Sequence, residues 1–488
     1  MSVKGKPTRK MHLSRLVISL LMLISLCLGS CDSNRNPNIV FILVDDLGWK
    51  DLGCYGSEFY ETPNLDKLAR QAVRFTNAYA ASPVCSPTRA AIMTGKHPVR
   101  VNITDWIPGM PIARARGPKL IPPEDIHNMP LEEFTIAEAF REKGYKTFYA
   151  GKWHLGETAG FWPEFQGFDI NRGGVDWGAP RRSDGANGYY SPYNNPRLEN
   201  GPDGEYLTDR LTDESVQFIE SAGDDPFFLY LAFYTVHTPI MGCDRYDAYF
   251  EQKSHALPDS GKIITVAERE TLTRINQSHP KYAAMVRSLD ANVGRLLEKL
   301  EDAGLADNTI IVFTSDNGGL TSGGGPTAVV PLRAGKGWCY EGGIRVPLLI
   351  RYPGMPHAGE TCDVPAISMD YYPTLLELAG MDPDPDQHRD GHSLVPYLED
   401  PGGKAERTLL WHYPHYHGST WRPGSAIRDG NWKLIEFYED DTVELYDLKT
   451  DLEERVDQAD KFPEKAAALR TRLHEELDKM GARYPVKR

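Results

Sequence analysis

The 488-residue sequence has few cysteines, no excess of positive charge and no long apolar run beyond its N-terminus. Its seven cysteines include no CxxC pair and no cysteine and histidine spacing of the kind that binds zinc. It carries 54 Lys and Arg against 68 Asp and Glu, a net charge of -14, which argues against nucleic acid as a partner. No internal repeat is visible, which argues against solenoids and propellers.

The one prominent apolar run, residues 16–28, follows several lysines and arginines and is short for a membrane span. We therefore predict that residues 1–30 are an export signal. The run ends in Leu28-Gly29-Ser30-Cys31, which resembles a bacterial lipoprotein signal, and Cys31 would then be lipidated and anchor the chain to a membrane. The alternative is ordinary signal cleavage with Cys31 incidental. In both cases we expect an exported bacterial protein, periplasmic or anchored to the outer membrane.

Five cysteines lie beyond Cys31. If Cys85 is set aside for chemistry, the other four could form two disulfides in three ways, or they could remain free buried thiols. These four are Cys54, Cys243, Cys339 and Cys362. The sequence leaves both alternatives open.

Short apolar runs alternate with helical patterns along the chain. The runs are rich in β-branched and aromatic residues, which is typical of strands buried on both faces, and they cover residues 38–44, 146–150, 227–234 and 309–314. Helical spacing covers residues 131–143, 208–221 and 278–304. This pattern predicts an α/β fold with a large, mostly parallel sheet sandwiched by helices.

The character of the sequence changes near Pro401-Gly402-Gly403. Short strand patterns at 425–436 and 442–448 and a charged helix at 463–480 follow this point. We therefore expect a main domain over residues 37–400 and a smaller C-terminal α+β subdomain over residues 401–488.

Polar residues follow each of the four main predicted strands. In an open α/β sheet, ligands bind beyond the carboxyl ends of the strands, so these residues are expected to meet at one edge. They are Asp45-Asp46, Gly151-Lys152-Trp153-His154, Val236-His237 and Ser315-Asp316-Asn317. Each group alone also fits a turn, a helix cap or a solvated loop. Their coincidence favours a site.

The oxygen-bearing members of this set indicate a metal site. Asp45, Asp46, Asp316 and Asn317 offer hard oxygen ligands, which suit Ca²⁺ or Mg²⁺ better than Zn²⁺. Three converging carboxylates would repel one another without a cation between them. We predict one Ca²⁺ ion, because an oxygen cage made only of protein atoms suits its flexible coordination.

The segment Cys85-Ser86-Pro87-Thr88-Arg89, followed by a helix ending in Thr94-Gly95-Lys96, resembles the maturation signal of the type I sulfatases, members of the alkaline phosphatase-like superfamily. The resemblance runs from about residue 37 to the C-terminus. Further matching segments are Asp45-Asp46-Leu47-Gly48-Trp49, Thr62-Pro63-Asn64-Leu65-Asp66, Gly151-Lys152-Trp153-His154, Thr314-Ser315-Asp316-Asn317-Gly318, Lys336-Gly337, Gly342-Gly343-Ile344-Arg345 and Asp390-Gly391-His392-Ser393.

This resemblance implies a sulfuric ester hydrolase. It implies that a maturation enzyme oxidises Cys85 to formylglycine, and that the hydrate of this aldehyde ligates the metal and attacks sulfur. The implied roles are a clamp of the hydrate for Arg89 and clamps of sulfate oxygens for Lys152 and Lys336. By the same resemblance His154 is the base of the second step, and His237 is the partner or acid of the leaving oxygen.

The expected substrate is a sulfated carbohydrate. Residues 103–109, which include Asp105 and Trp106, resemble a segment of sulfatases that act on galactose-type 4-sulfates. We therefore expect an exo-acting enzyme that removes the 4-sulfate from galactose or N-acetylgalactosamine. His415 and His417 lie in an aromatic, histidine-rich segment (411–417) that we interpret as a loop able to contact a sugar. A second metal site or a solvated surface loop are the alternatives for this segment.

The sequence leaves two other functions open. An enzyme of the same superfamily that hydrolyses phosphonate or phosphodiester bonds would use the same cysteine-derived nucleophile. A non-catalytic lipoprotein that binds glycans is the second alternative, although every residue that the resemblance implies for catalysis is present. A two-zinc phosphatase is disfavoured because the additional ligands that it needs cannot be placed.

Overall fold

The described part of the chain contains eighteen strands, and eight of them form one mixed sheet. The strands, in sequence order, are β1 (Asn38–Val44), β2 (Val73–Phe75), β3 (Ala78–Tyr79), β4 (Leu120–Ile121), β5 (Lys146–Gly151), β6 (Ile170–Arg172), β7 (Phe227–Ala232), β8 (Thr265–Glu268), β9 (Thr271–Arg274), β10 (Thr309–Ser315), β11 (Leu348–Arg351), β12 (Thr361–Cys362), β13 (Ala366–Ile367), β14 (Thr408–Tyr413), β15 (Gly424–Asp429), β16 (Trp432–Phe437), β17 (Thr442–Asp447) and β18 (Val486–Lys487).

The main sheet has the strand order β12-β2-β11-β10-β1-β7-β5-β6. The pairs on both sides of β1 and β5 are parallel, and only β11 runs antiparallel to its two neighbours. Residues of β1, β7 and β10 are buried throughout, because helices cover both faces of a sheet of this kind. The predicted α/β fold with a mostly parallel sheet is confirmed.

The structure is a computed structural model that describes residues 1–2 and 35–488. Cys31 and nearly all of the predicted signal lie outside the described residues, so lipidation and export stay predictions. Residues Pro37–Arg488 form one compact unit. Within the described residues, no helix has both the length and the apolar character needed to cross a membrane.

The helices are α1 (Pro63–Ala69), α2 (Cys85–Thr94), α3 (Pro98–Val101), α4 (Ile136–Glu142), α5 (Leu207–Ala222), α6 (Asp244–His255), α7 (Pro280–Asp302), α8 (Glu341–Ile344), α9 (Tyr371–Leu378), α10 (Val395–Glu399) and α11 (Pro463–Met480). α4 begins five residues later than predicted, because Thr135 and Glu138 form a capping box that starts the helix there. α7 is capped by His279, whose side chain accepts a hydrogen bond from the Tyr282 amide.

A second sheet follows near the C-terminus. Strands β14 to β17 pair antiparallel in sequence order, and α11 packs against them through Leu469, Leu473 and Leu477. The prediction that residues 411–417 are one loop is wrong, since 411–413 belong to β14. Trp411, which pairs with Ala426 of β15, is buried because its side chain packs in a core cluster against Tyr79. The solvated-loop alternative also fails, because His412 and His415 are buried.

All five cysteines within the described residues are free thiols. Cys85, Cys243, Cys339 and Cys362 are buried, and Cys54 is partly buried. Of the two alternatives left open by the sequence, the structure therefore contains free thiols rather than disulfides.

Candidate active site

The carboxyl ends of β1 and β10 bring the predicted metal ligands together. The two strands are parallel neighbours, so Asp45-Asp46 and Asp316-Asn317 leave the sheet side by side. The Asp46 amide donates to Asp316 Oδ1 at 3.2 Å, and Asn317 Nδ2 donates to Asp46 Oδ1 at 2.8 Å. All four side chains are buried.

Three cations from separate elements face these three carboxylates. Lys152 Nζ lies 2.8 Å from Asp45 Oδ2, and neither side chain is exposed. Lys336 Nζ lies 2.7 Å from Asp46 Oδ1, and Arg89 Nε donates to Asp316 Oδ2 at 2.9 Å. These pairs balance the buried carboxylate charge.

The balance of burial and ion pairing shifts the pKa values of Asp45 and Asp46 in opposite directions. Burial alone would raise the pKa of Asp46, but Lys336 and His237 outweigh it and lower that pKa. For Asp45, burial and the adjacent carboxylates raise the pKa in spite of Lys152. Lys336 itself has a raised pKa, because Asp46 outweighs the effect of burial, so it remains an ammonium at neutral pH.

The donor set fits a hard cation. Asp45 Oδ1 and Asn317 Oδ1 are buried and have no hydrogen-bond partner among the described residues. Orphaned buried oxygens are costly, and a cation would satisfy both. Asp45, Asp46 and His237 each offer a ligand atom within 4.8 Å of the others. The sequence predicted the two acids as ligands but gave His237 a different role.

Cys85 is the first residue of α2 and lies beside His154. Its Sγ is 3.3 Å from His154 Nδ1, while His154 Nε2 is 2.5 Å from the carbonyl oxygen of Ile107. Because a carbonyl oxygen only accepts, we assign the imidazole proton to Nε2, which leaves the Nδ1 lone pair facing residue 85. Burial, with Lys152 nearby, lowers the pKa of His154 and keeps the ring neutral.

The backbone around these side chains is constrained. Asp46 and His154 both adopt the left-handed region with φ of 60°, a conformation that concentrates at functional sites in non-glycine residues. Gly151 precedes Lys152 with φ of 103°, and a Cβ there would lie 1.8 Å from the Ala232 carbonyl oxygen. Glycine at 151 is therefore required for the turn that delivers Lys152 and His154.

A cavity of about 490 Å³ opens beside Cys85. Its wall contains Cys85, Trp106, Ile107, Pro108, His154, Asp176, Trp177, Gly178, Ala179, Arg181, His237, Lys336 and His417. The volume is within the usual range of small-ligand sites, and the wall combines aromatic surface with a few polar groups. Lys152 and Arg89 do not line the cavity; they contact the carboxylates of Asp45 and Asp316.

The predicted substrate residues divide into two groups. Trp106 and His417 line the cavity. Asp105 and His415 do not: Asp105 Oδ1 accepts from the Tyr413 hydroxyl at 2.9 Å, and His415 Nε2 lies 2.8 Å from Thr104 Oγ1. Their substrate role stays a prediction, and in the structure they hold the segment that carries Trp106.

Part of the cavity wall was not predicted from the sequence. Asp176, Trp177 and Arg181 come from the long irregular segment after β6. This segment has no hydrophobic periodicity and no motif, so no sequence signal marked these three residues.

Comparison with known proteins gives the family. Residues 37–381 match the sulfatase family model, and residues 334–483 match the model of the N-sulphoglucosamine sulphohydrolase C-terminal region. The chain is 35% identical to human arylsulfatase A, covering 83% of this chain and 75% of that protein. It is 33% identical to human N-acetylgalactosamine-6-sulfatase, covering 80% of this chain and 70% of that protein.

A solved structure agrees with these relatives. Ps i-CgsB, crystallised in complex with k-i-k-neocarrahexaose, superposes with a TM-score of 0.72 at 30% identity, over 91% of this chain and 93% of that chain. The predicted resemblance is thereby confirmed. The chain belongs to the sulfatase family and is an enzyme that hydrolyses sulfate esters.

Proposed function

We propose that this enzyme removes sulfate from sulfated carbohydrates, using a formylglycine formed from Cys85 and one Ca²⁺ ion. The observation that carries the proposal is the position of Cys85 in the wall of the cavity, 3.3 Å from His154 and on the same wall as Lys336. Sulfatases typically rely on formylglycine and a metal ion, and the side chains around Cys85 suit both.

Asp45, Asp46, Asp316 and Asn317 would hold the ion, and His237 is close enough to contribute. The supporting observation is the pair of unpartnered buried oxygens on Asp45 and Asn317. When bound, the ion and the formylglycine hydrate would supply charge neutralisation at the sulfate and the attacking hydroxyl. A cage of oxygen ligands made only of protein atoms suits the flexible coordination of Ca²⁺ better than that of Mg²⁺.

The remaining residues have roles that follow from their positions. Lys336 Nζ, at the cavity wall, binds a sulfate oxygen and stabilises the charge that builds on it. His154 Nδ1 accepts a proton from a hydroxyl on residue 85. Arg89 and Lys152 hold Asp316 and Asp45 in position through their ion pairs, and His237 faces the leaving oxygen.

We propose a galactose-type sugar as the substrate. Trp106 offers the cavity an aromatic face on which the apolar side of a sugar ring can stack. The sequence of 103–109 favours O4-sulfate, whereas one relative bears a name that specifies 6-sulfated N-acetylgalactosamine. Assays of N-acetylgalactosamine 4-sulfate and 6-sulfate decide the position, and turnover of neither sugar, with turnover of glucosamine sulfates, would overturn the proposed sugar class.

The nucleophile is tested by mass spectrometry of the tryptic peptide Phe75 to Arg89, from protein produced in a host that matures sulfatases. We expect the aldehyde at residue 85. A thiol in that host, with full sulfatase activity, would contradict the proposed mechanism.

The alternative is hydrolysis of phosphonates or phosphodiesters with the same residues. Rates on an aryl sulfate and on the matching aryl phosphodiester separate the two functions, and we expect the sulfate to be hydrolysed faster. A glycan-binding role without turnover is not supported, because four of the sequence-predicted catalytic residues line one cavity: Cys85, His154, His237 and Lys336.

Export as a lipoprotein and modification by a formylglycine-generating enzyme belong to the same proposal. Cys31→Ser should release the protein from the membrane fraction if Cys31 carries the lipid. An unchanged membrane fraction would exclude that anchor.

A further inference from the structure

Arg181 is a second cation in the cavity that contains Cys85. It lies on the wall with Asp176 and Trp177, and 46% of its side chain is exposed. The proposed reaction at Cys85 assigns no role to it. Lys336, the other cavity-lining cation, is paired with the buried Asp46, so Arg181 stands apart from the carboxylates of the metal site.

The side chain of Arg181 is held in place although it faces solvent. Its guanidinium carbon lies 4.4 Å from the centre of the Trp177 ring, and its Nη2 donates to Asp176 Oδ2 at 3.0 Å. The Gly188 amide donates to the Arg181 carbonyl oxygen at 2.8 Å, which fixes the backbone. A fixed guanidinium loses less conformational freedom on binding a ligand than a mobile one.

Arg181 keeps unused hydrogen-bonding capacity. A guanidinium has five N–H donors in a planar fork, and the contact with Asp176 uses one of them. The planar fork matches the oxygens of sulfate and carboxylate groups. The chain as a whole carries a net charge of -14, so an anionic glycan gains attraction only from local cations of this kind.

We propose that Arg181 binds a second oxyanion of the glycan, a sulfate or a carboxylate, while the first sulfate lies at Cys85. This inference rests on the proposed function. It makes the preferred substrate a sugar segment with two anionic groups, and it makes Arg181 the residue that distinguishes such a segment from a monosulfated sugar.

The test uses Arg181→Gln, which shortens the side chain, keeps a planar polar end and removes the charge. The matched control is Arg182→Gln, because Arg182 is the next residue, is exposed and does not line the cavity. Both variants and the wild type should hydrolyse 4-nitrophenyl sulfate, and failure of the wild type to do so would count against the proposed function rather than against the role of Arg181.

Sugars are then measured as competitors of that hydrolysis, so that each gives an inhibition constant whether or not it is turned over. The set is N-acetylgalactosamine 6-sulfate, the 4,6-disulfate, and a 6-sulfated disaccharide with a neighbouring uronate. For Arg181→Gln we expect an increase of about 10- to 100-fold in the inhibition constant of a doubly anionic sugar, since hydrogen bonds to charged groups have this strength.

A weaker inhibition by the 4,6-disulfate would identify the second group as a sulfate on the same ring. A weaker inhibition by the disaccharide would identify it as the carboxylate of the neighbouring uronate. The constant for the monosulfated sugar and the KM for 4-nitrophenyl sulfate should change less than about threefold. Equal losses for all ligands would overturn the proposal and leave Arg181 as a part of the cavity wall. Equal effects of Arg181→Gln and Arg182→Gln would also overturn it.

Discussion

At the scale of single residues, the site is a set of opposite charges that hold one another in place. Lys152 contacts Asp45, Lys336 contacts Asp46, and Arg89 contacts Asp316 and, at 4.0 Å, Asp45. Only Lys336 among these cations also lines the cavity. One of the three cations therefore faces the cavity, and the other two contact the acids at the strand ends without lining it.

Lys336→Ala should lower kcat by about 10²- to 10³-fold, because one preorganised charge contact to the transition state is lost. The measurement is steady-state hydrolysis of an aryl sulfate by the matured enzyme. Lys67→Ala is the control, because Lys67 makes only an exposed ion pair with Glu301. If the Lys336 variant turns over at nearly the rate of the control, Lys336 does not stabilise the transition state at the sulfate.

Removal of the ion should abolish activity and lower the Tm, because unpartnered Asp45 and Asn317 oxygens would remain buried. Chelation followed by addition of Ca²⁺ or Mg²⁺ checks this. We expect Ca²⁺ to restore both activity and Tm more fully than Mg²⁺. Full activity after exhaustive chelation would contradict the metal site.

The positions of single side chains also show which parts of the site the sequence can predict and which it cannot. Asp45, Asp46 and Asp316 were found because each follows an apolar strand, and strand order alone brings them together. Asp105 was predicted to meet substrate, but its carboxyl is buried under Tyr413, and burial raises its pKa to about 8. No sequence pattern distinguishes a polar residue that faces a cavity from one that faces a neighbouring side chain.

At the scale of elements, the central strands were predictable and the edge strands were not. β1 and β10 are seven-residue apolar runs that span the sheet. β2 and β12 have three and two residues, too few to show a period. They join the main sheet because β2 pairs with β11 and β12 pairs with β2. β14 was missed because its tryptophan, histidine and tyrosine resemble a binding loop.

The turn after β5 gives a prediction for an element. Gly151→Ala should lower the free energy of unfolding by more than about 4 kcal/mol and reduce activity, since the new Cβ would clash with the Ala232 carbonyl oxygen. The control is Gly144→Ala, which has φ of 83° and no atom within 4 Å of the new Cβ. It should cost only about 1–2 kcal/mol, the backbone contribution.

Thermal or denaturant unfolding of the two variants measures the difference. Equal losses of stability would mean that backbone conformation, and not the contact with β7, explains the glycine at 151.

At the scale of the whole molecule, a buried ionic cluster joins the C-terminal sheet to α8. Lys433 Nζ, on β16, lies 2.9 Å from Glu341 Oε1 and 2.9 Å from Glu454 Oε1, and none of these side chains is exposed. Lys433, together with Arg345 and Arg428, lowers the pKa of Glu341 to about 2 against the effect of burial. The packing of the C-terminal sheet on the main sheet thus depends on charge as well as on apolar contacts.

This cluster predicts a pH dependence of stability. Burial raises the pKa of Glu454 to about 7, in spite of Lys433 and with a contribution from Glu341. The folded state therefore binds a proton that the unfolded state has released, and the contribution of Glu454 to stability is full below about pH 4.5 and is lost as the pH rises through about 7.

Glu454→Gln should remove this dependence, so the Tm of the wild type should fall relative to that of the variant between about pH 5 and pH 8. Glu453→Gln is the matched control, because Glu453 is a neighbouring exposed glutamate. Parallel Tm curves for the wild type and Glu454→Gln would contradict the prediction.

The burial of Cys85 also determines whether its proposed oxidation can take place before or after folding. Cys85 is 2% exposed, and it is the first residue of a helix in which every residue is buried. A separate enzyme cannot reach a thiol in that position, so under the proposed maturation the oxidation must precede folding. A chain that folds as the thiol is committed to that state, and a maturation enzyme added afterwards should not activate it until the chain is unfolded.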